Sequence, residues 1–452
     1  MKARAVMKAL VRSKSGGYRL ADDIDIPDPR PGMMLCRVHA VALSPYDAKI
    51  VDYSNTPGAV GGCDFAGIVV AVGEGVTRFK EGDRVLAVTF GLNASDKTAG
   101  AFAEYALATE DLSCHVPNNL SFVQACSMGL GIATAGLALF QAPGLDLEMP
   151  RPKSADEDTP SFVLVSGGAT GTGTMATQLL KVAGYTPIVT CSPANNVLCE
   201  SYGATACFDY RSSTCGADIR EYTANSLVYV FDCVTDASTM RMCYEAIGSS
   251  GGTYIALEAI TPLVKYTRRD VRADWLMTPT IMGTPVEIPG TYGRPSTPKH
   301  RIFGTELFLL AEKLLKEGRV KNHPLEIRGG GLVRIPTYVN DLRVGNVRAK
   351  RQVVPLVRPD ALKEIPLVAL DRYCMKMRAV PALDPKQWIG ELDIIDVNDM
   401  VPKFLAKAYA HDPHKPFAMH NYCSENRYLL SDLVGMYKEK LGTEMDVLPV
   451  LK

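Results

Sequence analysis

The stretch 163–184, VLVSGGATGTGTMATQLLKVAG, sets an apolar run before a turn of glycine, alanine and threonine, and then an amphipathic run. A buried strand, a tight turn and a helix start, in that order, aim backbone N–H groups at a pyrophosphate. Small residues let that backbone approach phosphate oxygens that an ordinary side chain would hold off. The dinucleotide fingerprint asks for glycine at 168, 170 and 173. The chain has Gly168, Thr170 and Gly173, with Gly171 beside the odd place. Alone, the pattern fits a nucleotide turn and a plain connection equally well.

Nucleotide preference is set just past the next strand, where an acidic residue binds the adenosine ribose diol and repels a 2′-phosphate. This chain has Cys191-Ser192-Pro193-Ala194-Asn195 there, with no acid. Tyr210 and Arg211 offer a ring to stack on adenine and a cation to pair with phosphate. The set favours NADPH over an ordinary polar turn capped by Ser192. Lys49 and Thr134 are two further candidates. By residue type alone they read as a surface lysine after a turn and a threonine in a helix.

The elements that must hold these residues follow from the pattern along the chain. Residues 1–140 are rich in short β-like runs between Gly/Pro turns, such as 34–44, 67–73, 83–91 and 101–108, which predicts a compact barrel-like domain. Residues 120–140 read as helix, and the polar, proline-rich 143–160 as a boundary or insertion. From 161 onward strands alternate with helices, which argues for a doubly wound parallel sheet. Its strands are expected near 161–166, 186–190, 206–210, 227–234, 251–257 and 280–286. A helix over 306–317 and a return to short strands over 329–356 follow. The fold class is therefore α/β, with a barrel, a Rossmann-type sheet and an additional C-terminal α+β segment. The boundaries are drawn at 1–150, 151–325, 326–357 and 358–452.

Composition bounds the remaining possibilities. Of the 452 residues 47% are hydrophobic and 22% charged, which is ordinary for a globular protein. Lys+Arg and Asp+Glu both number 49, so no net field recruits nucleic acid or a membrane. The twelve cysteines show no C-x-x-C pair and read as scattered, reduced thiols. No signal-peptide core and no run of about 18 apolar residues is evident, so the cytosol is expected.

In ordered blocks over 1–357 the chain resembles a zinc-independent medium-chain dehydrogenase/reductase. More narrowly, it resembles the lovastatin-type trans-acting enoyl reductases that serve fungal polyketide synthases. The blocks are ALSPYDAK (42–49), GGCDFAGIVVAVGEGV (61–76), FKEGDRV (79–85), AFAEYA (101–106) and GIATAGLAL (131–139). They continue through the glycine/threonine turn, VTCSPANN (189–196), FDYR (208–211), TYGRPS (291–296), HPLEI (323–327) and VGNVRAKRQVV (344–354). The resemblance implies a GroES-like domain, an inserted Rossmann domain and a return of the chain to the first. It implies NADPH as cofactor and hydride addition to an enoyl thioester on an acyl carrier protein, with the proton coming from solvent, Tyr46 or Tyr53.

By the same resemblance, Lys49 lies against the nicotinamide ribose and Thr134 near the carboxamide and substrate carbonyl. Cofactor contacts fall to Pro45, Tyr46, Asp47, Ala48, Ala169, Thr170, Gly171, Thr172, Ser192, Pro193, Ala194, Asn195, Tyr210, Leu257, Glu258, Val353 and Val354. Glu258 is a departure, a carboxylate near the nicotinamide. The acyl chain is expected beside Ile132, Ala133, Thr134, Ala135, Gly136, Leu137, Ala138 and Leu139, and beside Pro279, Thr280, Ile281, Met282 and Gly283.

The zinc-dependent branch carries a Cys, a His-Glu pair and a four-cysteine lobe where this chain has Ser44, Cys63-Asp64 and no lobe, so no zinc is expected. Arg268, Arg269, Arg272, Lys299 and Arg301 are candidates to meet an acidic carrier protein. A monomer is expected. Residues 358–452 resemble the end of a thioester-reductase domain without its glycine turn or Tyr-x-x-x-Lys pair, so no activity is expected of them. The tail's His411, His414, His420 and Cys423 have only loosely metal-like spacing. The competing functions are a quinone or enone reductase acting on free small molecules and a non-catalytic synthase partner.

Overall fold

The computed structural model describes residues 5–150 and 161–356, and two paired strands, Leu392–Asp393 and Arg427–Tyr428. The readings placed on His411, His414, His420 and Cys423 lie outside the described residues.

The first domain contains β1 (Val6–Arg12), β2 (Tyr18–Asp25), β3 (Met33–Ala42), α1 (Pro45–Tyr53), β4 (Asp64–Val72), β5 (Arg84–Val88), β6 (Tyr105–Thr109) and β7 (Ser113–His115). Strand β3 organises it. One edge pairs with β4 along its length, and the other pairs with β6 over its first half. Register shifts in the β3–β4 pair, at Leu35/Cys36 and Val38/Ala40, bend the sheet into a barrel-like wall. Ser44 caps α1: its hydroxyl accepts from the Asp47 N–H, and the Asp47 carboxylate accepts from the Ser44 N–H at 2.7 Å.

Two helices lead out of the barrel, α2 (Phe122–Ala125) and α3 (Gly129–Phe140). Every residue of α3 is buried. By length and composition Phe122–Phe140 does reach what a membrane crossing needs, contrary to the sequence expectation, and 89% of that window is buried inside the protein.

The second domain is built of β8 (Phe162–Ser166), α4 (Gly171–Ala183), β9 (Thr186–Cys191), α5 (Asn196–Ser201), β10 (Ala206–Asp209), α6 (Cys215–Tyr222), β11 (Tyr229–Asp232), α7 (Ala237–Ala246), β12 (Gly252–Ala256), α8 (Pro262–Lys265), β13 (Val271–Trp275) and α9 (Pro298–Lys316). The sheet order β10-β9-β8-β11-β12-β13, parallel throughout, is the 3-2-1-4-5-6 order of a dinucleotide fold, with its crevice between β8 and β11. The chain then returns through β14 (Leu325–Ile327), α10 (Gly331–Arg343) and β15 (Arg351–Pro355), which pairs with the free half of the β3 edge.

Three local expectations are corrected. The sixth strand is Val271–Trp275 rather than 280–286. Its Arg272 and Asp274 face solvent at a sheet edge and mask its strand pattern, whereas Thr278–Met282, with Pro279 near its start, winds into a 3₁₀ turn. The helix expected over 306–317 begins at Pro298. Within 329–356 a 13-residue helix lies where short strands were expected: Leu332, Ile335, Tyr338 and Val339 recur at helical spacing and are buried, and Pro336 inside it obscures the helical pattern.

Candidate active site

The glycine/threonine turn is shaped by close approach. Gly167 has φ +81°, a left-handed conformation that favours glycine. A Cβ on Gly168 would come within 2.5 Å of the Val189 side chain, and one on Gly173 within 2.3 Å of the Gly167 carbonyl oxygen. Thr170 sits at φ −86°, open to any residue, and its hydroxyl accepts the Gly173 N–H at 2.9 Å. It is therefore the N-cap of α4 rather than a flaw in the fingerprint. The N–H groups of Gly171 and Thr172 have no partner within the helix, as at any helix start. Beside Gly171 there is room, with Arg351 the nearest side chain to its Cβ position, at 3.7 Å.

Ala169, Thr170, Gly171 and Thr172 line a cleft of about 1080 Å³ that also takes in residues of the barrel domain. At its outer end stand Ser192, Asn195, Tyr210 and Arg211. The Asn195 amide donates to the Ser192 hydroxyl at 2.9 Å, and the Arg211 guanidinium lies 5.2 Å from the Tyr210 ring centre. Arg348, Lys350 and Arg351 add cations to the wall. This chemistry fits a phosphorylated dinucleotide: exposed helix-start donors, a ring for the base and an acid-free polar turn at Ser192–Asn195.

At the inner end the wall becomes apolar around Leu43, Val88, Leu130 and Leu276. Thr134 lies there, donating to the Leu130 carbonyl at 2.7 Å and sharing a 2.9 Å hydrogen bond with Thr278. Tyr46 faces the same space, and its hydroxyl is buried without a hydrogen-bond partner among the described residues. Burial, with Cys63 and Asp47 nearby, pushes the Tyr46 phenol well above its ordinary value, so it stays protonated. Lys49 pairs with Glu258, whose other oxygen accepts from the Tyr292 hydroxyl at 3.0 Å. Tyr292 stacks on Tyr53 at 4.7 Å, which occupies Tyr53 at the rim. Glu258 is thus the partner of Lys49 rather than a free charge beside the ring.

A second ion pair crosses deeper. Arg351 donates to Asp64 at 2.8 Å, with both side chains buried. Burial raises the Asp64 carboxyl to about 7 against the pull of Arg351, and raises Asp47 to about 6 against its hydrogen bonds from Ser44. His323, also on the wall, shares a 3.0 Å hydrogen bond with Thr174 and is lowered to about 4, first by burial and then by Arg351.

Of the residues expected at the cofactor, Pro45, Tyr46, Lys49, Ala169, Thr170, Gly171, Thr172, Ser192, Asn195, Tyr210, Leu257 and Glu258 line the cleft. The others stand off it. Asp47 and Ala48 are turned into the barrel core, Pro193 and Ala194 face outward, and Val353 and Val354 are sealed in the sheet at β15. The wall residues of this segment are Val347–Arg351 instead.

On the substrate side Thr134, Pro279, Ile281 and Met282 line the cleft, and Thr280 and Gly283 do not. The Thr280 hydroxyl is held by the Met277 carbonyl and His300, and Gly283 packs on Arg301. Nor do Ile132, Ala133, Ala135, Gly136, Leu137, Ala138 and Leu139 make room for an acyl chain. The small residues among them, Ala133, Ala135, Gly136 and Ala138, let α3 pack tightly: a Cβ on Gly136 would come within 2.2 Å of Leu307. Thr278, Arg351 and His323 went unmarked in the sequence because nothing local distinguishes them from turn, strand and loop residues.

The residues present do not fit a catalytic zinc, which takes three protein ligands. Ser44 is spent on the α1 cap and Asp64 on Arg351, leaving Cys63 as the only soft donor at those positions. Of the five basic residues considered for a carrier protein, three are committed within the fold. Arg268 donates to the carbonyls of Tyr244, Ile247 and Gly248, Arg272 to that of Gly144, and Arg301 to Asp111 at 2.6 Å. Arg269 and Lys299 stay exposed.

Comparison with known proteins agrees with this layout. Residues 30–118 match the alcohol dehydrogenase GroES-like domain, and 171–260 the family described as zinc-binding dehydrogenase. Among solved structures, an alcohol dehydrogenase superfamily protein from Novosphingobium aromaticivorans is 22% identical, with a TM-score of 0.62 over 78% of this chain and all of that one. The CurK enoyl reductase is 16% identical with a TM-score of 0.61, over 77% of this chain and 99% of its own. These two show the fold. A trans-enoyl reductase from a Penicillium species is 66% identical over 351 residues, 78% of this chain and 98% of the relative. Another, from Gibberella fujikuroi, is 66% identical over 350 residues, 77% of this chain and 99% of its own length. With the dinucleotide turn, the two-domain cleft and this identity over nearly the whole of its relatives, the chain belongs to the trans-enoyl reductases of the medium-chain dehydrogenase/reductase superfamily.

Proposed function

We propose that this enzyme reduces the carbon–carbon double bond of an α,β-unsaturated thioester presented by the acyl carrier protein of a polyketide synthase, with NADPH as reductant. The observation that carries the reading is one continuous cleft, from the free helix-start donors of α4 to the Thr134–Thr278 pair. Gly171 and Thr172 would hold the pyrophosphate. Ser192, Asn195, Tyr210 and Arg211 would hold the adenosine 2′-phosphate end, where an acidic side chain would repel the phosphate. When bound, NADPH supplies the hydride.

The chain's own residues position and protonate. The Thr134 hydroxyl donates to the Leu130 carbonyl and is left to accept, so it would take an N–H of the cofactor's carboxamide and orient the hydride at near-attack distance. Tyr46 is the proton source for the α-carbon in this reading, because its hydroxyl is buried, protonated and unpartnered on the cleft wall, whereas Tyr53 is stacked at the rim. Lys49, half-exposed beside Glu258, exchanges that partner for the nicotinamide ribose when the cofactor enters.

Charged residues on the edge strand β13, Arg272 and Asp274, oppose strand pairing with a second copy and support a monomer. A cytosolic site of action completes the proposal. The test is NADPH oxidation with a crotonyl thioester on carrier protein, against the same acyl group free and against a quinone. Turnover of the carried thioester is expected. Preference for free quinones overturns the carrier reading, and no oxidation with any of them overturns reduction itself.

A further inference from the structure

Four cysteines that read as scattered recur every eight residues, at 191, 199, 207 and 215, and the fold brings the first three together. Cys191 ends β9, Cys199 lies on α5 and Cys207 is in β10. The parallel register pairs Cys191 with Asp209 and Cys207 with Val189, so both cysteines lie on one face of the sheet, on neighbouring strands. Helix α5 covers that face and brings the third thiol down onto it. The three sulfur atoms all lie within 4.8 Å of one another, two of them buried and the third half-buried. Thiolates about 2.3 Å from a shared ion stand roughly 4 Å apart, so the backbone already holds the sulfurs near ligand spacing.

We propose that Cys191, Cys199 and Cys207 form a binding site for one thiophilic d¹⁰ cation, of the Cu(I) or Zn(II) class. Soft thiolates select such ions over hard ones. The fourth side of the cluster is polar: Asn196 accepts from the Cys191 thiol at 3.3 Å through its side chain and from Cys207 at 3.8 Å through its carbonyl, giving a four-coordinate ion an oxygen donor. Binding breaks the S–H bonds, forms metal–sulfur bonds and passes the protons to solvent, with no electron transferred. The cluster adjoins the adenosine end of the cleft, which Cys191 also lines, and takes no part in the reduction itself.

The test uses the full-length, reduced chain, stripped with a chelator and titrated with Zn(II), or anaerobically with Cu(I), against a chromophoric competitor. One ion per chain is expected, bound with proton release and with sulfur neighbours at about 2.3 Å in X-ray absorption. Cys199→Ser and Cys207→Ser should each weaken binding at least a hundredfold while the control Cys215→Ala leaves it unchanged. The absorption measurement needs no variant, so a misfolded mutant does not decide the matter. No stoichiometric ion with either metal, oxygen/nitrogen-only coordination, or an ion retained by both serine variants (held, for instance, by His411 or His414) overturns the proposal.

Discussion

The two ends of the cleft are held by different forces. At the phosphate end the glycine backbone is closely approached: Gly173 sits against the Gly167 carbonyl, Gly168 against the Val189 side chain, and the Thr170 hydroxyl closes the first turn of α4. Nothing there needs to move for a pyrophosphate to meet the Gly171 and Thr172 N–H groups. At the inner end, side chains from two domains meet across space: Lys49 with Glu258, Glu258 with Tyr292, Thr134 with Thr278. These groups are paired with one another, and the proposed mechanism has them exchange partners when ligands enter. The contrast teaches that cofactor affinity rests on steric fit, and reaction rate on exchangeable hydrogen bonds.

The sharpest way to break the first half is Gly173→Val. With a Cβ only 2.3 Å from a carbonyl oxygen, strand and helix must part. Overpacking of this kind costs about 1–3 kcal/mol, and NADPH binding, followed by fluorescence, should fall beyond measurement. Gly171→Ala, with open space beside it, should keep the fold and weaken binding only modestly; equal loss in both would dissolve the steric account.

Between the two ends lies the Asp64–Arg351 pair. Arg351→Met leaves a buried carboxylate without its cation, at a cost of about 3–5 kcal/mol. Burial has raised Asp64 to about 7, so the native state holds its proton more tightly than the unfolded chain does. Its contribution to stability is therefore full below about pH 4 and is lost as pH rises through 7. Denaturant unfolding should show the Arg351→Met deficit growing from pH 5 to pH 8. In the Asp64→Asn background the pH dependence should flatten.

At the inner end, loss of a positioned proton donor costs about 10²–10⁴ in rate, and loss of a hydroxyl that only orients costs less. Thr134→Val and Tyr46→Phe should each lower kcat with little change in NADPH affinity. A full rate in Thr134→Val removes that residue from the chemistry. The smallest effect is expected from Glu258→Gln: a half-exposed pair contributes about 0–1 kcal/mol to stability, so Tm should barely move while the KM for NADPH falls, Lys49 having lost its competing partner.

The same contrast explains what the sequence reveals. The turn is legible because close approach is a local demand met only by small residues, and the whole doubly wound order follows from it and the alternating strands. The α3 segment is not, because the small residues that fit an acyl channel also fit tight helix packing, and only Leu307, far along the chain, decides between them. Lys49 was placed by resemblance, but its pairing with Glu258 joins positions 209 residues apart that no spacing connects. β13 hid its strand character behind edge charges, and α10 behind Pro336. The three clustered thiols read as scattered, because a spacing of eight matches no familiar ligand motif and runs on to Cys215, outside the cluster.

The central claim is that one cleft joins NADPH to a carried enoyl group. Its most direct test is mass spectrometry of a crotonyl group on carrier protein after incubation with the enzyme and NADPH deuterated at the transferable position. The account predicts a saturated acyl group with one deuterium at the β-carbon, and a rate that collapses in Gly173→Val and falls at least tenfold in Thr134→Val. An unchanged crotonyl group, while the same enzyme consumes NADPH with a free quinone, would contradict it.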